Sequence, residues 1–160
     1  MKYKDYAVTF REFPNEISLC INISNCQMHC KECHSPELWE DVGKLLDRNT
    51  LAELIRNNKG ITCVGLMGGD SDHYWINELA AFIKYTFRNI KVGWYSGYKV
   101  LPEEIDIRWF DYIKLGPYIK DLGGLNKSTT NQKMYAYSKY YSDYTIGPGW
   151  RDITNMFYGK

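Results

Sequence analysis

Ile61-Thr62-Cys63-Val64-Gly65-Leu66-Met67 is a mostly apolar run that closes on Gly68-Gly69-Asp70. A short continuous apolar run bounded by glycines fits a strand buried inside a sheet, and the fold is read outward from it. Upstream, Thr50-Leu51-Ala52-Glu53 has the form of a capping box, Leu51, Leu54 and Ile55 recur at helical spacing, and Gly60 is a natural stop. Downstream, Ser71 or Asp72 can cap a helix carrying Trp75, Leu79, Phe82, Ile83 and Phe87 on one face. Residues 90–95 then read as another strand before the turn Ser96-Gly97. Strand–helix–strand units of this kind imply a parallel α/β sheet with right-handed crossovers.

Further out the pattern is shorter. Residues 6–13 alternate as a strand, and Pro14-Asn15 supplies a return into residues 17–24. There Ile17, Leu19, Ile21 and Ile23 make one side aliphatic, while Ser18, Cys20, Asn22 and Ser24 make the other small and polar. That polar side either meets solvent or lines a cavity; both stay open. Pro102-Glu103-Glu104 reads as a helix start, residues 112–115 as a short strand, 132–137 as a strand and 152–157 as a short helix.

The strand over residues 17–24 delivers the chain into Cys26-Gln27-Met28-His29-Cys30-Lys31-Glu32-Cys33. Three cysteines at C-x3-C-x2-C on a short polar loop can bring their thiolates to one centre. Two chemistries suit them. One is a cubane iron–sulfur cluster with one iron open to a further ligand. The other is a structural zinc site completed by His29, His34 or Cys20. Cys20 and Cys63 lie in strand-like runs and read as packed residues. In parallel α/β folds, sites form at the carboxyl ends of strands. Three candidates fall there together: the cysteine loop, Gly68-Gly69-Asp70, and Tyr95-Ser96-Gly97.

With 160 residues the chain is long enough for one domain and short for a complete eight-fold barrel. Its 20 basic and 19 acidic residues give no overall field that argues for nucleic acid or a membrane surface. Nothing in it is apolar enough to span a bilayer, and Met1-Lys2-Tyr3-Lys4-Asp5 lacks a signal-peptide core, so the expected compartment is the cytoplasm. Five cysteines, three of them bunched, suit ligation in a reducing compartment better than a disulfide framework.

These residues resemble the radical S-adenosylmethionine (SAM) enzymes, whose signature C-x3-C-x2-C is matched by Cys26, Cys30 and Cys33. The resemblance implies a [4Fe-4S] cluster on those three cysteines, with SAM chelating the fourth iron. It also implies SAM contacts from Glu32, Cys33 and His34 beside the cluster, from Gly68, Gly69 and Asp70, and from Tyr95 and Ser96. Cys33-His34-Ser35-Pro36-Glu37-Leu38-Trp39, Trp94-Tyr95-Ser96-Gly97-Tyr98, Asp111-Tyr112-Ile113-Lys114-Leu115-Gly116-Pro117-Tyr118 and Thr129-Thr130-Asn131-Gln132-Lys133 narrow it further. Those segments resemble the activating proteins of anaerobic (class III) ribonucleoside-triphosphate reductase.

The implied fold is α/β: a short, incomplete (βα) barrel with a mostly parallel sheet. It forms one domain over residues 1–160, of which 138–160 are a Tyr-rich C-terminal extension. The implied activity is reductive cleavage of SAM to a 5'-deoxyadenosyl radical that makes a glycyl radical on the reductase. The implied partners are that reductase and an electron donor such as flavodoxin or ferredoxin. An activator of another glycyl radical enzyme, such as a formate-lyase type, and a non-catalytic zinc module are the other readings. Two departures stand out: Ser71 where many relatives have Pro, and Lys114-Leu115-Gly116 where many have Val-Asp-Gly.

Overall fold

A computed structural model describes residues 1–159; Lys160, the last residue of the extension, lies outside the described residues. The chain forms β1 (Lys2–Thr9), β2 (Ser18–Ile23), β3 (Lys44–Leu45), α1 (Arg48–Asn57), β4 (Cys63–Met67), α2 (His73–Thr86), β5 (Lys91–Tyr95), β6 (Tyr112–Leu115), β7 (Lys133–Tyr137) and β8 (Trp150–Asp152). All eight strands join one mixed sheet in the order β3-β1-β2-β4-β5-β6-β7-β8. β2, β4, β5 and β6 run parallel, and the pairings on either side of them are antiparallel.

The expected short, incomplete (βα) barrel with a mostly parallel sheet is therefore wrong. Among the described residues there are only two α-helices, and antiparallel pairings outnumber parallel ones. The reason is visible between β5 and β6. The expected helix at Pro102 is a turn there, followed by a single 3₁₀ turn (Ile107–Trp109) capped by Asp106. That stretch has too few apolar residues at helical spacing to bury a helix face. After β6 the chain returns antiparallel through loops, with no crossover.

Where helices do form, local chemistry selects them. α1 starts earlier than the box at Thr50 suggested, because Asp47 is the cap and its carboxylate accepts the Thr50 N–H at 2.8 Å. Asp72 caps α2 as expected, accepting the Trp75 N–H at 2.9 Å. α2 buries Ile76, Leu79, Ala80 and Ile83, with Trp75, Phe82 and Phe87 packed at the margin. The larger of these buried side chains each contribute about 1.5–3 kcal/mol. The strands β2, β4 and β5 succeed one another in one direction across the sheet, so right-handed crossovers place both helices on the same face.

Among the described residues the other face has no α-helix, and that settles the question about β2. Leu19, Ile21 and Ile23 pack with the helices, whereas Cys20 joins a second cluster with Phe13, Cys63, Tyr112, Met134, Ile153 and Phe157. The plug of this cluster is Phe13, from the connection between β1 and β2. Gly65 and Gly93 lie side by side on β4 and β5, and the Phe13 ring occupies the space their missing side chains leave. Tyr95 and Tyr112 flank it at ring-centroid distances of 5.5 and 5.3 Å. A Cβ at Gly93 would collide with that ring. Gly93→Ala is expected to lower stability by about 1–3 kcal/mol, read as a fall in the thermal midpoint, because the added methyl has nowhere to go but into the Phe13 ring.

At the amino ends of the parallel strands, the buried carboxylate of Glu16 gathers the Lys91 amine (2.5 Å), the Tyr112 hydroxyl (2.9 Å) and the Thr62 hydroxyl (2.6 Å). The Tyr-rich extension is part of the fold rather than an appendage. β8 pairs with β7, and the 3₁₀ turn Thr154–Phe157, expected as a short helix, brings Phe157 under the helix-free face. Phe10, Tyr95, Leu125, Gln132 and Phe157 are among the residues around a cavity of about 880 Å³ on that face.

Candidate metal centre

β2 leaves the sheet through Ser24 and Asn25, and the root of the cysteine loop is tied down there. Ser24 donates from its N–H to the Lys2 carbonyl (3.1 Å) and from its hydroxyl to the Val42 carbonyl (2.7 Å). Asn25 N–H donates to Glu40 O at 3.0 Å, and Cys26 N–H to Leu38 O at 2.8 Å. Asn25, His29 and Glu32 all take positive φ. Left-handed residues without glycine are costly, and their clustering lets the loop coil sharply enough to carry three thiols. Cys33 N–H donates to Cys30 O at 3.0 Å, and the Cys33 sulfur accepts the Ser35 N–H at 3.4 Å.

Cys26, Cys30 and Cys33 are free and partly exposed, whereas Cys20 and Cys63 are buried. Burial pushes the Cys20 thiol up to about 12 and Cys63 well above the ordinary thiol range, which suits inert packing. Burial also raises Cys26, against the N–H of Met28, and Asp70 adds to the rise. Among the described residues no three His, Cys, Asp or Glu side chains are grouped so as to hold a metal ion. The histidines that a zinc site would recruit lie on aromatic rings: His29 stacks on Trp39 (4.9 Å, 19° between planes) and His34 rests on Tyr118 (4.3 Å). Cys20 faces the Phe13 cluster. Three soft thiolates on one short loop remain, a donor set that fits an iron–sulfur cluster.

The other predicted residues fall into two groups. Glu32 pairs with Lys120 at the surface (2.8 Å), and with His34 on Tyr118 it fastens the cysteine loop to the segment after β6. Gly68 and Gly69 follow β4 with positive φ. The space of a Cβ at Gly69 is taken by Ile76 of α2, and the Gly68 carbonyl accepts the Trp94 indole N–H at 2.9 Å. Positive φ favours glycine at both positions, and at Gly69 the packing of Ile76 adds to it. Tyr95 donates its hydroxyl to Glu12 O at 2.9 Å, and burial raises that phenol well above its usual range. The Ser96 hydroxyl accepts the Tyr98 N–H at 3.0 Å.

Asp70 is different. It is buried, one carboxylate oxygen accepts the Gly97 N–H at 2.8 Å, and the other is buried without a partner. An orphaned carboxylate oxygen is costly unless a donor arrives from outside the chain.

Sequence reasoning missed Lys114. It is buried on β6, with its amine donating to Gly116 O at 2.6 Å and toward Ser96 O at 3.4 Å. Burial lowers its pKa to about 8, while the charges of Asp70, Cys30 and Cys26, in that order, push it back up. The available signal was a lone lysine inside a four-residue strand otherwise made of Tyr, Ile and Leu. The ends of β4 and β6 thus hold an anion and a cation beside the thiol loop. An α-amino acid group carries the complementary pair, so these residues fit the methionine part of SAM as the loop fits a cluster.

The model of the 4Fe-4S single cluster domain matches residues 17–113, more than half of the chain and all three loop cysteines. The chain belongs to the 4Fe-4S single cluster domain family. No curated protein and no solved structure matches it. The matched stretch runs from just before β2 into β6, so the family domain comprises the parallel strands and both helices. β1, β3, β7 and the Tyr-rich extension with β8 build around it; β3 alone is inserted within the matched stretch. Among the described residues no helix is long and apolar enough to cross a membrane.

Proposed function

We propose that this protein is a radical SAM activase of the cytoplasm, acting on an anaerobic ribonucleoside-triphosphate reductase. Cys26, Cys30 and Cys33 hold the [4Fe-4S] cluster, and an electron donor such as flavodoxin or ferredoxin reduces it. When bound, the cluster and SAM supply one-electron cleavage of the sulfonium and, through it, removal of hydrogen from a glycine of the partner.

The observation that carries this reading is the buried Asp70–Lys114 pair at the strand ends beside the cysteine loop. A cluster protein that only relays electrons has no use for a buried, half-satisfied carboxylate next to a buried amine. Asp70 would offer its orphaned oxygen to an N–H of the amino group, and Lys114 would offer its amine to the carboxylate. Ser96 and Gly116 hold that amine in place through their carbonyls, and the Tyr95 ring covers it at 5.7 Å. The helix-free face leaves room for a polypeptide segment of the partner in the cavity lined by Tyr95 and Phe157. Resemblance of the Asn131-Gln132 segment to the reductase activators supplies the partner.

Anaerobic reconstitution with iron and sulfide, followed by dithionite and SAM, is expected to release methionine and 5'-deoxyadenosine. Tightly bound zinc with no iron–sulfur absorbance and no cleavage would overturn the reading. Electron paramagnetic resonance then decides the partner. A glycine-centred signal on the reductase supports it, and a signal on a formate-lyase-type enzyme alone transfers the activity to that class.

A further inference from the structure

Gly97 is a point where the cysteine loop touches the strand ends. It belongs to the turn after β5, and hydrogen bonds fix that turn along its length. The Ser96 N–H donates to Lys114 O at 2.9 Å, the Gly97 N–H to the Asp70 carboxylate at 2.8 Å and the Tyr98 N–H to the Ser96 hydroxyl at 3.0 Å. The Tyr98 carbonyl in turn accepts the Gly116 N–H at 2.7 Å. The turn is thus bonded to both members of the Asp70–Lys114 pair. Met28, from the cysteine loop, lies on it. A Cβ on Gly97 would stand 2.5 Å from Met28 Cγ, 3.2 Å from Met28 Cβ and 3.3 Å from Met28 Cε. The Gly97 backbone is outside the left-handed region, so its conformation admits alanine and only the space does not.

We propose that Gly97 is a positioning residue: its bare Cα seats Met28 and so sets the distance between the thiol loop and the Asp70–Lys114 pair. The proposal rests on the function proposed above, in which one SAM molecule reaches both. The loop is fastened at its root by the bonds of Ser24, Asn25 and Cys26, and at its far end by Glu32 on Lys120 and His34 on Tyr118. Neither fastening touches Asp70 or the turn that holds it. Met28 on Gly97 does, between the first two loop cysteines. A side chain at position 97 has two ways to relieve the clash. The turn recoils and draws its N–H away from Asp70, or Met28 lifts and carries the loop with it. The turn is held by hydrogen bonds and Met28 by side-chain contact, so the loop is the part that yields. Either movement separates the groups that one cofactor must bridge, and the first binding shell of SAM loosens without loss of any residue that touches it.

Gly97→Ala, Met28→Ala and the double variant, each reconstituted anaerobically, test this with two readings. One is SAM affinity by equilibrium dialysis, and the other is the lifetime of the cluster against an iron chelator in the absence of SAM. Gly97→Ala is expected to weaken SAM binding about tenfold and to shorten the cluster lifetime, with the sheet retained by circular dichroism. Met28→Ala leaves a gap in place of a clash and has the smaller effect on both. The double variant recovers most of both losses, because only the Met28 Cβ then faces the new methyl, and a shift of a few tenths of an ångström accommodates it. A glycine required by the turn itself would gain nothing from a change at residue 28. Wild-type affinity and lifetime in Gly97→Ala, a double variant no better than Gly97→Ala, or a Gly97→Ala chain that loses its sheet overturns the proposal. Should the wild type bind no SAM, the proposed function fails, and the chelator series still judges the seat. A lifetime lost in Gly97→Ala and restored in the double variant supports it, and an unchanged lifetime overturns it.

Discussion

Alanine at any one of Cys26, Cys30 or Cys33 is expected to remove the iron–sulfur absorbance and to reduce SAM cleavage to background, while Cys63→Ala retains both. The three loop cysteines are free, partly exposed and carried on a coil that positive-φ residues sharpen. Loss of one thiolate leaves a cluster with two protein ligands, and no nearby group replaces it. His29 and His34 are stacked on Trp39 and Tyr118, and Cys20 lies in a different cluster. Cys63 is buried between strands, so its alanine variant costs only the lost packing, about 1–2 kcal/mol. Iron and sulfide analysis with the dithionite assay checks the set. Activity that survives loss of a loop cysteine would refute a three-thiolate cluster.

Lys114→Met is expected to weaken SAM binding about 10- to 150-fold, the range of a charge-assisted hydrogen bond, with iron content unchanged. Methionine keeps much of the volume and removes the charge. Lys114→Arg keeps the charge and recovers part of the affinity. Equilibrium dialysis of SAM on the reconstituted protein reads the effect apart from turnover. Unaltered SAM affinity would remove Lys114 from the cofactor site. Loss of iron together with SAM would place its role at the cluster, consistent with its electrostatic contact to Cys26 and Cys30.

Much of the site was legible because it depends on local chemistry. Three cysteines at fixed spacing, strand-end glycines and Asp72 as a helix cap are short-range features, and each lies where local reading placed it. Lys114 was not singled out, since a lysine in a short strand looks like an edge or surface residue until strands on both sides bury it. Gly68 and Gly69 were read for what they admit. Their neighbours Ile23 and Ile76 come from β2 and from α2, and only folding brings those close.

The fold was less legible for the same reason. Apolar periodicity identified α1, α2 and the strands β2, β4, β5, β6 and β7, but it does not report which strands pair or in which direction. The barrel that the resemblance implied does not form, because the stretch before β6 makes no crossover helix and the chain after β6 returns antiparallel. β3 and β8 are two and three residues long, and such strands exist only through a neighbour's edge.

By itself, then, the sequence determined an iron–sulfur type of ligand loop and the strand–helix–strand succession at the centre of the chain. The tertiary structure alone decided that both helices share one face, that Phe13 and Phe157 cover the other, and that Asp70 and Lys114 are buried within electrostatic range of each other and of the thiols. The physical reason is range. Caps, turns and thiol spacing act over a few residues along the chain. Burial, pairing direction and the meeting of two opposite charges depend on residues that are distant in the sequence and adjacent only in the folded sheet.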